Sequence, residues 1–385
     1  MKILFISPVL PLPLTSGGQI RSYNLVKALS VNHEVILLSY YRQEEEKKHL
    51  SSLEKICKET ILLKRKYKPW SLPVLLKTLF SSRPLVMNLY DTEKPLISEK
   101  DNYDLIYCEC FYLMDKIGKT KIPIMLSDQN IEYLAYQRYL DNLPLWKKVF
   151  FWLPMKWDIL KMKHWEKRMW LKADKLAVMS DSDKKIVEKE IERKNTVIVP
   201  NGVDTGLFNI TKQDQTLKTI LFVGDFKWFQ NVQAVEWLIK GIFPEIKKQI
   251  PKAKLSIVGR HMPQWLQTLK IEGIILDETV EDIRDAYKKA TVFLAPLKSG
   301  SGTKYKILEA MASGVPVVTT SIGAEGLDNS GMIIKKTGQD LAKATIDVLN
   351  NPQKYEALTK KARKLVEDNY TWSMIGKKLE EFISK

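Results

Sequence analysis

Short apolar runs alternate along the chain with segments whose apolar residues recur every three or four positions, a pattern that predicts strands separated by helices. One series of strands falls at 2–7, 35–39, 105–107, 124–126, 176–179 and 197–199. After the first of these the periodicity predicts a helix near 19–30, with Ile20, Tyr23, Val26 and Leu29 on one face. A second series falls at 220–223, 255–258, 274–276, 292–295, 315–319 and 332–334, again with helices between. Such alternation is the pattern of parallel sheets covered on both faces. Between the two series lies "NGVDTGLFNITKQDQTLK", polar and without a clear period, which reads as an interdomain linker. The fold class expected is α/β, with two doubly wound parallel-sheet domains facing across a cleft. Ligands of such sheets sit at the carboxyl ends of the strands.

The chain has 385 residues, too many for one ordinary core, which agrees with two domains. Hydrophobic residues make up 45%, so a packed protein is expected rather than a disordered one. The opening "MKILFISPVLPLPL" has one lysine, three prolines and no small-residue cleavage site, so it reads as a buried strand running into a loop and not as a secretory signal. No uncharged apolar run approaches the ~18 residues that span a bilayer. Three cysteines, Cys57, Cys108 and Cys110, make no disulfide framework, and the last two lack the spacing of a zinc site. A cytoplasmic setting follows. The net charge of +16 turns the surface toward acidic partners. Its lysines are dispersed and carry no recognition motif, which argues against nucleic acid.

Candidate chemistry sits where glycines precede helices. Gly17 and Gly18 in "LTSGGQIRSYNLV" stand just before the first helix, either as an anion site of free amides or as a turn needing positive φ. The stretch "SGSGTKYKILEAMASGVPVVTTSIGAEGL" repeats that design in the second series: a strand, a loop with Gly300 and Gly302, then a helix from about 303 to 313. Amides at 301–303 suit a diphosphate, Lys304 or Lys306 would neutralise it, and Glu309 can accept two sugar hydroxyls at once. The competing reading is a surface helix with solvated charges. Asp181 and Asp183 follow a strand and open a helix, which makes them cap residues rather than metal ligands. The four histidines, His33, His49, His164 and His261, have no metal spacing; His261 belongs either near the cleft or to a solvent-facing loop.

The blocks "PLKSGSGTKYKILEAMASGVPVVTTSIGAEGL", "VIVPNGVDTGLF", "ILFVGDFKWFQNVQAVEWL", "LSIVGR" and "YTWSMIGKKLEEFI", in that family's order and over nearly the whole chain, resemble the retaining nucleotide-sugar glycosyltransferases of family 4, which have the GT-B fold. The resemblance implies an acceptor-binding domain at 1–205, a linker at 206–218 and a nucleotide-sugar domain at 219–369. It also implies a last helix, 370–385, that returns to the first domain. Gly17, Gly18, Gly300, Ser301, Gly302, Thr303 and Lys304 would close on the donor diphosphate, Glu309 would bind the nucleotide ribose, and backbone near Val280 would meet the base. No metal or other cofactor is implied, because amides and basic side chains neutralise the leaving diphosphate.

Four positions depart from the family's pattern. Ser301 stands where an acidic residue often touches the donor sugar. Asp225 and Gln230 replace an arginine and a lysine that clamp phosphate, which leaves Lys227, Lys304 and Lys306 to carry that charge. Gln129, with Asp128 beside it, stands at the place of a histidine near the reacting carbon. A front-face displacement that uses the leaving phosphate as base tolerates that loss, so Lys306, Lys304, Gln129 and Asp128 are the catalytic candidates.

Residues 146–171 contain five tryptophans among many lysines, with Met155, Ile159, Met162, Trp165 and Met169 at helical spacing and Lys156, Lys163 and Lys167 along a flank. Such a helix either lies in a membrane interface, which would make the chain peripheral at the inner membrane face, or packs on the first domain. The function expected is sugar transfer from a nucleotide-diphosphate sugar to a glycan or lipid-linked acceptor in cell-envelope or exported glycan synthesis. A non-catalytic glycosyltransferase-like subunit and a sugar-nucleotide epimerase of the same fold are the alternatives.

Overall fold

All six strands of the first series form, joined by a seventh. In the computed structural model they are Lys2–Ser7 (β1), Glu34–Tyr41 (β2), Glu59–Lys64 (β3), Leu105–Glu109 (β4), Ile124–Ser127 (β5), Lys175–Val178 (β6) and Thr196–Ile198 (β7). The structure describes residues 1–69, 71–92, 95–97, 101–193, 195–209, 218–279, 282–300 and 302–384. The strands pair in parallel in the order β3-β2-β1-β4-β5-β6-β7. β3 escapes the hydrophobic pattern because it is a half-buried edge strand that runs straight into Lys64, Arg65 and Lys66, charges that also protect a sheet edge from pairing.

The second sheet comprises Thr219–Val223 (β8), Lys254–Val258 (β9), Ile274–Asp277 (β10), Val292–Ala295 (β11), Val317–Thr319 (β12) and Ile333–Ile334 (β13), parallel in the order β10-β9-β8-β11-β12-β13. β12 begins at 317 and not 315 because Pro316 has no amide to give the ladder. Along β8, Ile220 and Phe222 enter one core and Leu221 the other, so both faces of this sheet are buried.

Two compact units result. One is Met1–Pro200 with the residues from Ile375 on; the other is Asn201–Met374. Their boundary lies ahead of the expected 205, and the reason is local. The Val203 amide donates to Tyr370 O at 2.8 Å, and Phe208 packs edge-on against Tyr287. The stretch from 201 to 209 is therefore built into the second unit, while most of the expected linker, 210–217, lies outside the described residues. The last helix is Trp372–Ile383, with Ile375, Leu379 and Ile383 buried. Within the first unit Gly376 presses on Ala28, His33 Nε2 meets Glu380 Oε2 at 2.8 Å, and Lys175 Nζ donates to the Phe382 and Ile383 carbonyls, as cations do at a helix end.

The helix after β1 is Gly17–Leu29, and its buried face is Arg21, Ser22, Leu25, Val26 and Leu29 together with Gln19. Ile20 and Tyr23, expected inside, are only half-buried. Polar residues displaced them because this helix start must answer charge at the sheet's carboxyl edge.

At that edge of the second sheet two loops touch through glycine. Gly259, at φ +147°, approaches Gly224 so closely that a Cβ there would lie 1.7 Å from the Gly224 carbonyl oxygen; Gly314, at φ +69°, has open space around it. Gly259→Ala should therefore lose about 3 kcal/mol or more, from clash plus strain. Gly314→Ala should lose about 1–2 kcal/mol from strain alone. Chemical denaturation reads both, and equal losses would mean that the approach of these loops contributes nothing.

Candidate functional site

β8 and β11 are neighbours, yet the chain leaves β8 toward β9 and leaves β11 toward β12. At such a reversal the loops at the carboxyl ends part and leave a crevice. Gly300 and Gly302 turn the loop after β11 at φ +119° and +66°, conformations that only glycine adopts without strain. The helix Tyr305–Ala312 follows with Lys304 at its N-cap and no side chain capping its amides. Gly300 lies against the Lys304 and Gln230 side chains. The Thr303 side chain and carbonyl are engaged by Asn201: its Oγ1 accepts from the Asn201 backbone amide and its carbonyl from Asn201 Nδ2, both at 3.1 Å. Tyr305 closes this clamp by donating to Asn201 Oδ1 at 2.9 Å.

Lys306 and Glu309 lie one turn apart on that helix and are half-buried. Lys306 Nζ donates to Asn231 Oδ1 at 2.6 Å and lies 4.6 Å from the Phe222 ring centroid; Asn231 Nδ2 in turn donates to the Asp225 carbonyl at 2.7 Å. Burial pulls the Lys306 ammonium down to about 7, with the nearby Glu309 working against that fall and Lys304 adding to it. Burial raises the Glu309 carboxyl, and the Tyr287 hydroxyl, donating to its Oε2 at 2.9 Å, offsets part of the rise. The helix start thus carries a cation that an incoming anion would recharge, with a carboxylate at the next turn.

Lys227 is exposed and committed to Asp225 at 3.1 Å. Asp225 also meets His261 Nδ1 at 2.8 Å, which places His261 beside the loop after β8. Burial alone would raise the Asp225 carboxyl, but His261 and Lys227 outweigh it and hold it below the ordinary range. Val280 and Ser301 lie outside the described residues.

The first unit has the same reversal, between β1 and β4. Gly17 and Gly18 begin the helix there, and Ser16 turns its hydroxyl to Gln19 Oε1 at 2.9 Å instead of capping the amides. A Cβ on Gly18 would come within 3.8 Å of Gln129 Oε1. Below lies Glu109, fully buried at the end of β4, accepting from Ser22 Oγ. Burial raises its carboxyl against the pull of Ser22, Arg21, Ser7 and Gln129. Arg21 spends its donors on the Pro200 and Val199 carbonyls, at 2.9 and 2.8 Å, and on Ser127 Oγ at 3.2 Å. Cys110, next to Glu109, has φ +71°, a strained value for a side chain with a Cβ.

Asp128 does not join Gln129. Its Oδ2 accepts from the Trp170 indole at 2.6 Å and its Oδ1 from the Phe111 amide at 3.3 Å, so the carboxylate faces the core. Burial pushes both Asp128 and its neighbour Glu166 up. The two residues alternate in direction at the strand end, and only Gln129 turns to the Gly18 side. Asp183 is a helix-start residue, its amide donating to Ser180 Oγ at 3.1 Å. Among the described residues no three His, Cys, Asp or Glu side chains converge as a metal site. Sequence reasoning missed Asn231, Tyr287, Glu109, Arg21 and Ser22. Asn231 left a signal, in the first turn of the helix Phe229–Trp237 that follows the β8 loop; the others left none.

Residues 217–351 match the family model described as Glycosyl transferases group 1. Over 96% of both chains, the sequence is 25% identical to an uncharacterized 44.6 kDa protein in the cps region of Klebsiella pneumoniae. It is 28% identical to a GDP-mannose-dependent phosphatidylinositol monomannoside mannosyltransferase of Mycolicibacterium smegmatis, over 39% of this chain and 44% of that one. Among solved structures, sucrose-phosphate synthase from Thermosynechococcus elongatus superposes over 100% of this chain and 98% of its own with a TM-score of 0.70 at 16% identity. Anabaena HepE, in complex with UDP, does so over 100% of both with a TM-score of 0.65 at 14% identity. The 217–351 segment thus resembles the group 1 glycosyltransferase domain, and the chain as a whole has the two-sheet parallel α/β fold of the GT-B type.

Proposed function

We propose that this chain moves a sugar from a nucleotide-diphosphate donor to an acceptor hydroxyl, with retention, in cell-envelope or exported glycan synthesis. One observation carries the reading: a glycine turn, an uncapped helix start, Lys304 and Lys306 and, a turn deeper, Glu309 all meet where the second sheet reverses. Amides and the two lysines are the charge partners of a diphosphate, and they act most strongly on charge that develops as it leaves. Glu309 is the acceptor for ribose hydroxyls. Gln129, beside Gly18 in the first unit, is the polar group for the acceptor side, and the leaving phosphate takes the acceptor's proton. In this reading protein groups supply the neutralising charge without a metal, and the chain works in the cytoplasm.

The known proteins support the reading by their chemistry. HepE binds UDP, the mycobacterial relative depends on GDP-mannose, and the relative that matches nearly the whole chain belongs to a cps region. Against catalysis stands Asp225, which binds Lys227 and His261 where the resemblance calls for an arginine on phosphate. That pairing favours, as a second reading, a subunit that binds nucleotide sugar without turning it over.

Turnover of UDP-, GDP- and dTDP-sugars, with and without lipid extract, separates the readings. Transfer to an acceptor is expected; binding of a donor with no turnover means the non-catalytic subunit, and conversion of the donor sugar without acceptor, read by nuclear magnetic resonance, means an epimerase. Glu309→Ala should weaken donor binding about 10- to 100-fold, the worth of hydrogen bonds to a charged group. Lys306→Ala should lower kcat about 100-fold or more. Full activity in both variants would mean that the site lies elsewhere.

Lys306 also predicts a pH dependence. Its folded pKa, near 7, lies below the unfolded value of 10.5, so the unfolded chain binds more protons between those values and stability rises with pH there. Lys306→Met removes that slope. Its gain in melting temperature over the parent should therefore be largest at pH 7 and below and shrink toward pH 10, measured without ligand. A constant difference across that range would mean that Lys306 is not a buried cation.

A further inference from the structure

The helix Leu145–Lys172 changes character along its length. From Ile159 on it is anchored, with Met162, Trp165, Met169 and Trp170 in the first unit's core. Before that point its large side chains face outward: Leu145 is 79% exposed, Phe150 73%, Leu153 73% and Trp146 65%. Pro154 lies between these regions and deprives the Phe150 carbonyl of its helical donor.

A second helix, joined to the anchored half of the first, exposes apolar side chains of its own. Leu72–Phe80 buries only Val74, and its Leu72, Leu76, Leu79 and Phe80 are exposed, the last by 86%. It is tied to the longer helix by Lys161 Nζ donating to the Thr78 carbonyl at 2.7 Å, and just beyond its end by the Trp165 indole donating to Ser82 O at 2.9 Å. Two neighbouring helices thus expose Trp, Phe and Leu side chains on a scale that isolated surface hydrophobics do not reach.

Charge around this surface is mostly positive. Neither 145–157 nor 72–80 contains an acidic residue. Lys147 stands over the Trp146 ring, Lys148 reaches the Asp141 carbonyl and Lys156 the Gln137 side chain. Lys66 and Lys68 are exposed on the chain leading to the shorter helix. Among the described residues the nearby carboxylates include Asp91, which holds Lys77, Asp141, and Asp158, which accepts from the Leu85 amide at 2.9 Å. Protein interfaces are poor in lysine, and a symmetric pair of copies would set these cations against each other. Aromatic and leucine side chains ringed by lysine match a bilayer surface with anionic headgroups. Among the described residues no helix is long and apolar enough to cross a membrane, so the fit is to its surface.

We propose that the two-helix surface formed by 72–80 and 145–157 docks the first unit onto an anionic lipid bilayer, its aromatic and leucine side chains entering the headgroup boundary and its lysines facing lipid phosphate. The inference is independent of the donor-site reading. Sedimentation of the full chain with vesicles tests it, using phosphatidylcholine alone and phosphatidylcholine mixed with phosphatidylglycerol. The parent should pellet with the mixed vesicles and release at high salt. F150S/L153S, L79S/F80S and K147E/K148E should each lower partitioning about tenfold or more. All six side chains are off the core, so melting temperatures should hold. Absence of vesicle binding, partitioning indifferent to these variants, or a dimer in light scattering that F150S/L153S breaks apart would each overturn the proposal.

Discussion

A parallel sheet that begins with its middle strand must reverse its winding, and the loops at that reversal cannot both close over the strand ends. Both sheets of this chain are built so, β1 beside β4 and β8 beside β11. A helix starts directly above each parting, which leaves peptide amides facing the crevice without a side-chain cap. Glycine is then required where backbones approach: Gly224 against Gly259, and the turn at Gly300 and Gly302. The candidate chemistry follows from that one geometric condition more than from any single side chain.

Charge at the two reversals is handled in opposite ways. In the second unit Lys306 and Glu309 are held by neutral partners, Asn231 and Tyr287, so their charges remain available to a ligand. In the first unit Arg21 donates to carbonyls at the end of the sheet and Glu109 accepts from the Ser22 hydroxyl, an arrangement that ties the first helix to the strand ends and leaves Gln129 as the polar group beside Gly18. Asn201 links chemistry to fold in the second unit, since its amide side chain and backbone fix the turn that carries Lys304. The polar stretch after β7 is therefore a structural clamp as much as a connection.

The long tryptophan-rich helix packs on the first unit's core mainly through its second half, and its first half leaves large apolar side chains exposed. From Ile159 on one face of the helix enters the core, while before it most of the large side chains, the half-buried Met155 excepted, are exposed. A single amphipathic pattern spread over the whole helix could not have distinguished the halves, because the same Trp and Met types serve both.

Hydrophobic periodicity by itself determined the two α/β domains, twelve of the thirteen strands and the glycine turns ahead of the helices, because burial on both faces of a parallel sheet demands continuous apolar runs and tight turns demand glycine. It could not find β3, whose edge position leaves it half-buried, nor the inner face of the first helix, where Arg21 and Ser22 displace apolar side chains to meet groups more than a hundred positions away or at another strand's end. Glu309, Lys304 and Lys306 were legible at the site because one helix carries them at fixed spacing. Asn231, Tyr287 and the turning of Asp128 away from Gln129 were decided only by tertiary structure, since each depends on which side chain of another element stands within about 3 Å, a distance that no local pattern encodes.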